Sequence, residues 1–200
     1  MPNWVSVVLS VEGNVKEVNK FVKEVQRTKD EATDEFDDNP LCFQKIIPRP
    51  ANKSDDWYNW NIANWGTKWG ACRTEFDIKE QGKEALATYN FDTAWSFPEP
   101  IINKLITKYK KLTFQFTGDE ESNSFWVTGE GANGEASIEY GEFETCEDFQ
   151  AFGKTHHYCP ECNDWTDECN NSNIQEWLCD ECKTKIEATD TELWEGELND

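Results

Sequence analysis

Positive charge is scarce in this 200-residue chain: 19 Lys and Arg stand against 40 Asp and Glu, for a formal net charge of -21. The shortage is concentrated. Residues 117–200 carry 3 basic and 23 acidic side chains, whereas residues 1–116 carry 16 and 17. A surface so poor in cations repels phosphates and anionic headgroups and attracts basic proteins, which argues against duplex DNA binding by the acidic half and against membrane association. Long apolar runs are missing too. Stretches such as Val7-Val8-Leu9 fall far short of the ~20 residues a membrane-spanning helix requires, and no basic segment followed by an apolar signal region opens the chain. A cytoplasmic protein is expected. The two His are adjacent, His156 and His157, and neither a nucleophile motif nor a Gly-rich phosphate loop is present. No catalytic residue is assigned, and only a carboxylate mechanism through Asp92 stays open.

Aromatic residues are abundant by contrast: 10 Trp, 12 Phe and 5 Tyr lift an apolar fraction of 37% to one that can pack a core, since each ring buries ~150–250 Å². Trp4 to Val11 has strand composition, and Glu12-Gly13-Asn14 supplies a turn and a helix cap. Val15, Val18, Phe21, Val22 and Val25 then recur at helical spacing, a core-packing face. Residues 29–40 are polar, acidic and closed by Asn-Pro, which predicts a loop. Phe43 to Ile47 predicts a second strand stopped by Pro48. A short helix from Trp57 to about Asn64, strands over 71–78 and 85–95, and a helix beginning near Pro98 and striped by Ile101, Ile102, Leu105, Ile106 and Tyr109 follow. Leu112 to Phe116, an acidic turn over 119–123 and Phe125 to Thr128 predict a hairpin. In Glu135 to Tyr140, alternation predicts Ala136, Ile138 and Tyr140 facing inward. The order is a split β-α-β pattern with elaborations.

Several segments carry a resemblance. Met1-Pro2-Asn3-Trp4 opening a strand that ends in Val11-Glu12-Gly13, then Phe43 to Pro48, Trp57-Tyr58-Asn59-Trp60, Asn64-Trp65-Gly66-Thr67-Lys68-Trp69 and Phe91-Asp92-Thr93-Ala94-Trp95-Ser96, resemble the YubB-type ferredoxin-like domain family in order over about residues 1–130. The resemblance implies a ferredoxin-like α+β sandwich carried by bacteriophages and plasmids, with no settled activity. The expected organisation is a ferredoxin-like domain with an aromatic insertion and an acidic hairpin over residues 1–145, a zinc ribbon over 146–188 and an acidic tail over 189–200.

The ribbon rests on Cys159-Pro160-Glu161-Cys162 and Cys179-Asp180-Glu181-Cys182. Each C-x2-C knuckle can present two thiolates on one side, and two facing knuckles form the tetrahedral sulfur site that zinc favours. Cytosolic cysteines are more often thiols or metal ligands than disulfides. A module of about forty residues buries little core, whereas structural zinc contributes ~10–16 kcal/mol to folding. His156, His157 and Cys169 are near enough in sequence to compete as ligands. A closed four-Cys site leaves no open coordination position for catalysis, and four thiolates around zinc add negative charge.

Trp57, Tyr58, Trp60, Asn64, Trp65, Lys68, Trp69, Arg73, Asp92 and Trp95 form the other concentrated feature. Either the rings stack nucleobases beside Lys and Arg, or they fill the core while Asp92 and Asn64 satisfy buried backbone groups. The acidic candidates are Asp119, Glu120, Glu121, Glu135, Glu139, Glu147, Asp148, Asp167 and Glu168. Glu135, Ser137 and Glu139 should share a strand face at ~6.7 Å spacing, about twice the ~3.4 Å phosphate interval of one DNA strand; the alternative is an edge strand protected by charge. These features predict a phage-type, non-enzymatic protein that binds a basic host protein or nucleic-acid-binding complex, inhibiting it through an acidic surface. The competing reading is nucleotide or single-stranded nucleic-acid binding by the Trp cluster, with an enzyme of unknown type third.

Overall fold

Val5, Val7, Leu9 and Val11 alternate with Trp4, Ser6, Val8 and Ser10, a period of two that a strand turns into two faces. The computed structural model describes residues 3–27 and 40–143, together with Phe152, His157, Tyr158, Trp165, Thr166, Cys182 and Thr184. In it the four aliphatic residues are buried on one side of β1 (Trp4–Asn14). The Asn14 side-chain oxygen accepts the Lys16 N–H at 3.1 Å and caps α1 (Val15–Val25), and α1 buries Val18, Phe21 and Val25. Two compact units divide the chain, Met1–Gly141 and Glu142–Asp200.

The first unit is an α+β, ferredoxin-like domain. Its antiparallel sheet contains β2 (Cys72–Gln81), β3 (Glu84–Ala94), β4 (Thr113–Glu120), β5 (Trp126–Ala132) and β6 (Glu135–Gly141) in the order β2-β3-β1-β4-β5-β6. The first four positions are the ferredoxin-like arrangement, and the β5–β6 hairpin extends it beyond β4. Phe21 of α1 meets the rings of Tyr89, Tyr109 and Phe114 edge-on at 5.0–6.1 Å. From α4 (Glu99–Lys108), Ile101, Ile102, Leu105 and Ile106 complete the core on the same side of the sheet. Among the described residues no helix is long and apolar enough to cross a membrane.

Phe43 to Ile47 is not a strand. Residues Phe43–Ile46 form the short helix α2, which buries Phe43 and Ile46 together; a strand would point residues three apart to opposite faces, whereas one helical turn brings them to the same side. The second ferredoxin-like strand is β2, after α3 (Trp57–Trp65). Gly66 ends α3 at φ 80°, and its N–H bonds to the Asn61 carbonyl. Only a residue without Cβ suits this left-handed stop, because Pro100 Cδ lies 2.9 Å from where a Cβ would sit.

The acidic hairpin differs as well. Strand β4 continues through Asp119 and Glu120, so the turn is shorter than expected. In β6, Ile138 packs against the core but Ala136 and Tyr140 remain exposed, because α4 borders this edge strand without covering it. Tyr140 instead donates its hydroxyl to Glu99 at 2.8 Å; burial and that carboxylate raise its pKa. In the second unit, β7 (His157–Tyr158) pairs antiparallel with β8 (Trp165–Thr166). The expected loop over 29–39 and the tail over 189–200 lie outside the described residues.

Glycine lets β4 and β5 pack closely. A Cβ on Gly129 would collide with the Phe116 ring and the Ser137 carbonyl. Gly129→Ala is therefore expected to lower unfolding free energy by about 1–3 kcal/mol, measured by denaturant titration; an unchanged midpoint would contradict this packing.

Candidate functional site

Two connections meet at one end of the sheet, residues 66–71 after α3 and residues 95–98 after β3. Asn61, buried inside α3, holds them: its amide donates to the Lys68 carbonyl at 2.9 Å and its oxygen accepts from Arg49 at 2.9 Å. The Lys68 N–H reaches the Ala94 carbonyl at 3.5 Å, and the Trp95 N–H donates to Asn3 at 2.8 Å. Thr93 and Ser96 hydroxyls donate to the Ser96 and Gly66 carbonyls, and Thr67 donates to Trp69. Backbone polar groups are thus paired around an irregular loop.

On this support the aromatic cluster divides in two. Trp65 is 1% exposed, donates its indole N–H to Ile47 at 2.9 Å and packs edge-on against Phe43 and Trp60 at 5.9 and 5.7 Å. Asn64 turns its amide back to the Trp60 carbonyl at 2.8 Å. These three side chains are structural. Trp57, Tyr58 and Trp95 are exposed, and Trp69 and Trp4 are half-buried. Their rings run in sequence: Trp57 to Tyr58 at 5.9 Å, Tyr58 to Trp95 at 6.0 Å, and Trp69 to Trp4 at 5.8 Å. Lys68 Nζ joins the two groups, 4.6 Å from the Trp69 centroid and 4.7 Å from that of Trp95.

Beyond Trp4, the Arg73 guanidinium lies 4.3 Å over the indole and its Nε contacts Asp92 at 2.6 Å; Ser6 donates to the same carboxylate at 3.0 Å. Arg73 and Trp95 both have left-handed backbones, φ 53° and 77°, and a register shift between Cys72 and Glu75 contains Arg73. Such conformations are costly for bulky residues and persist where the surroundings enforce them; the bulge turns the Arg73 side chain toward Trp4. Trp4 and Ser6 escaped the sequence reading. The signal available was their shared strand parity, but their pairing with Asp92 depends on β1–β3 register.

Helices cover one face of the sheet, and among the described residues no element packs on the other, the open face. In register rows, Glu75, Asn90, Val8, Thr117, Thr128 and Glu139 follow one another across the six strands, with Asp77, Thr88, Ser10, Gln115, Glu130 and Ser137 in the next row. Asp92 and Asp119 flank Ser6 in a third. Carboxylates on this face outnumber its bases, Arg73 and Lys79, and Lys68 adds a third cation at its aromatic end. Gln115, Thr117, Thr128, Glu130, Ser137 and Glu139 border a depression of about 450 Å³. Most of the exposed lysines among the described residues accompany the helices: Lys16, Lys20 and Lys23 on α1, Lys104 and Lys108 on α4, and Lys110 and Lys111 after it. There Lys108 and Lys111 bind Glu24 and Glu17 at 3.0 and 2.9 Å. The Lys111 hydrogen bond lowers the Glu17 pKa, and the Tyr109 and Lys108 hydrogen bonds lower that of Glu24.

Of the acidic candidates, Asp119, Glu135 and Glu139 belong to the open face, and Glu121 is exposed beyond β4. Glu120 does not join them. It is 2% exposed and points to the core side, where its carboxylate accepts from the Ser122 and Ser124 N–H groups at 2.8 and 3.2 Å and from the Ser124 hydroxyl at 2.9 Å. It ties the β4–β5 turn. Glu147, Asp148, Asp167 and Glu168 lie outside the described residues, as do Cys159, Cys162, Cys179, His156 and Cys169. Cys182 is described and buried, and among the described residues no cluster of three or more potential metal ligands occurs.

The division of the Trp cluster has a direct test. Trp65→Ala should cost about 3–5 kcal/mol of stability, and Trp95→Ala about 1 kcal/mol or less, in denaturant titrations; equal losses would mean that both rings serve the core.

Residues 65–159 match the model of a family described as the ferredoxin-like domain in Api92-like protein. The match begins at the end of α3 and includes β2 to β6, so β1, which lies between β3 and β4, is supplied by residues before it. No curated protein and no solved structure matches the chain.

Proposed function

We propose that this protein is a non-enzymatic binding module whose open sheet face engages a basic protein surface. The observation that carries this reading is the uneven charge across the sheet: most exposed lysines accompany the helices, and carboxylates outnumber bases on the other face. An acidic face steers basic partners and disfavours acidic ones. Nucleic-acid-handling proteins are the natural partner class, because the surface they offer to phosphates is of matching sign. Occupying that surface would inhibit them. The YubB-type resemblance supports a phage or plasmid setting, in which the inhibited complex belongs to the host.

The reading includes a zinc-held ribbon in the second unit. Its support is the paired C-x2-C spacing, together with a two-stranded ladder, β7 and β8, on either side of Cys159 and Cys162 in sequence. One zinc per chain is expected by elemental analysis, with loss of the second unit's protease resistance on chelation. A metal-free protein that keeps this resistance would remove the ribbon from the reading.

The stacking alternative draws on the exposed rings of Trp57, Tyr58 and Trp95 beside Lys68, and it predicts quenching of Trp fluorescence by nucleotides. The charge reading has its own test. With a partner captured from host lysate and then purified, reversal of Asp77, Glu130 and Glu139 to Lys should weaken binding at least about tenfold, and added salt should weaken the wild-type complex. Reversal of Lys104 and Lys110 should not weaken it. Binding that ignores both salt and the sheet-face reversals would overturn the proposal.

A further inference from the structure

The aromatic end of the open face contains a cation already seated. Lys68 Nζ stands 4.6 and 4.7 Å from the Trp69 and Trp95 centroids, within the ~6 Å at which an ammonium is attracted to an indole face. Among the described residues no carboxylate forms a salt bridge with it. Its backbone is held by Asn61 and Ala94, so the ammonium is delivered from a fixed point. Trp95 is held in a left-handed conformation that a bulky residue adopts only under constraint, yet the residue is 41% exposed. Burial in the core does not explain a strained backbone that presents a ring to solvent. A requirement for that ring at that place does.

The surroundings select the sign of a ligand. Trp4, whose ring adjoins Trp69, heads the strand that pairs with Asp92 and Asp119, and indole faces are themselves electron-rich. Asp92 is already paired with Arg73 at 2.6 Å, so the preference for a cation rests on the rings, whose faces attract an ammonium and not a phosphate. We infer that the Trp69–Trp95 pair is a seat for a cationic side chain, Lys or Arg, of a basic protein partner, and that Lys68 is an internal occupant which the partner's cation displaces. The inference rests on the basic-partner reading and names its anchor point: aromatic rings at an interface supply affinity, and the charged face supplies encounter.

Displacement fixes the direction of a mutational effect. Removing Lys68 vacates the seat and removes a like charge, so Lys68→Ala should bind a free cation more tightly than the wild type. If Lys68 instead clamps a phosphate, the same substitution should abolish binding. The full chain would be titrated with tetramethylammonium chloride and with tetralysine, against sodium chloride at equal ionic strength, following Trp fluorescence and indole N–H resonances. Lys68→Ala is expected to tighten both ligands about tenfold, from the loss of a competitor held by two rings. Adding Trp95→Ala should erase the gain. Lys68→Gln, which keeps the stem and loses the charge, should shift affinity in the same direction by less, and it serves if the alanine variant fails to fold.

Unchanged or weaker cation binding in the folded Lys68 variants would overturn the seat. So would a gain that persists without Trp95, or nucleotide binding by the wild type that Lys68→Ala abolishes. The sheet-face reversals stand apart from this result: an absent seat with charge-dependent partner binding leaves the module reading intact. A working seat with charge-independent partner binding would limit the cation specificity to this corner.

Discussion

The sheet unit depends on one constraint, that among the described residues its helices all pack on a single face of the sheet. Strand β1 lies between β3 and β4 and bonds to both, and its four aliphatic residues face Phe21 and the aliphatic stripe of α4. Burial of that face supplies the driving force for folding. It also makes the opposite face a surface, because every second residue of each strand must point there. The residues there, such as Ser6, Asn90, Thr117 and Glu139, are polar and exposed or half-buried. Function therefore has six strands of rigid, solvent-facing backbone to be written on.

The second consequence appears where the strands end. An irregular segment between α3 and β2 must satisfy its backbone groups locally, and buried Asn61 does so, with the Thr93 and Ser96 hydroxyls on the facing connection. This network holds Lys68 and Trp95 against each other, and the β2 bulge brings Arg73 over Trp4. Left-handed backbone at two bulky residues needs such over-determined surroundings. Core tryptophans underlie the same corner, with Trp65 and Trp60 forming its floor.

Periodicity revealed the parts that are governed by local sequence. The faces of α1 and α4 and the alternation of β1 could be read directly, since a regular element repeats its own geometry. The segment 43–46 could not, because four residues are too few to separate a helical turn from a strand. In β6, alternation correctly implied two faces, with Tyr140 on the side of α4, but not that an edge position leaves Ala136 and Tyr140 exposed there. The Trp cluster was visible as a cluster. Which rings would be floor and which surface depended on the path between α3 and β2, which no spacing encodes.

The acidity of the chain, the aromatic richness of residues 57–69 and the amphipathic faces of α1, α4 and β1 are legible without any structure, because each is a property of composition or of neighbours along the chain. Residues 1–116 are nearly neutral in sequence and the rest acidic, and nothing local says which face of the sheet the charges of either part reach. Strand order and register decided that. Asp77, Asp92, Asp119, Glu130 and Glu139 come from five segments and share one face only because the strands align them. The same alignment buries Glu120 and leaves Asp119 beside Ser6. Side-chain direction reverses with each residue of a strand, so membership of the acidic face was set by tertiary pairing and not by the number of acids available.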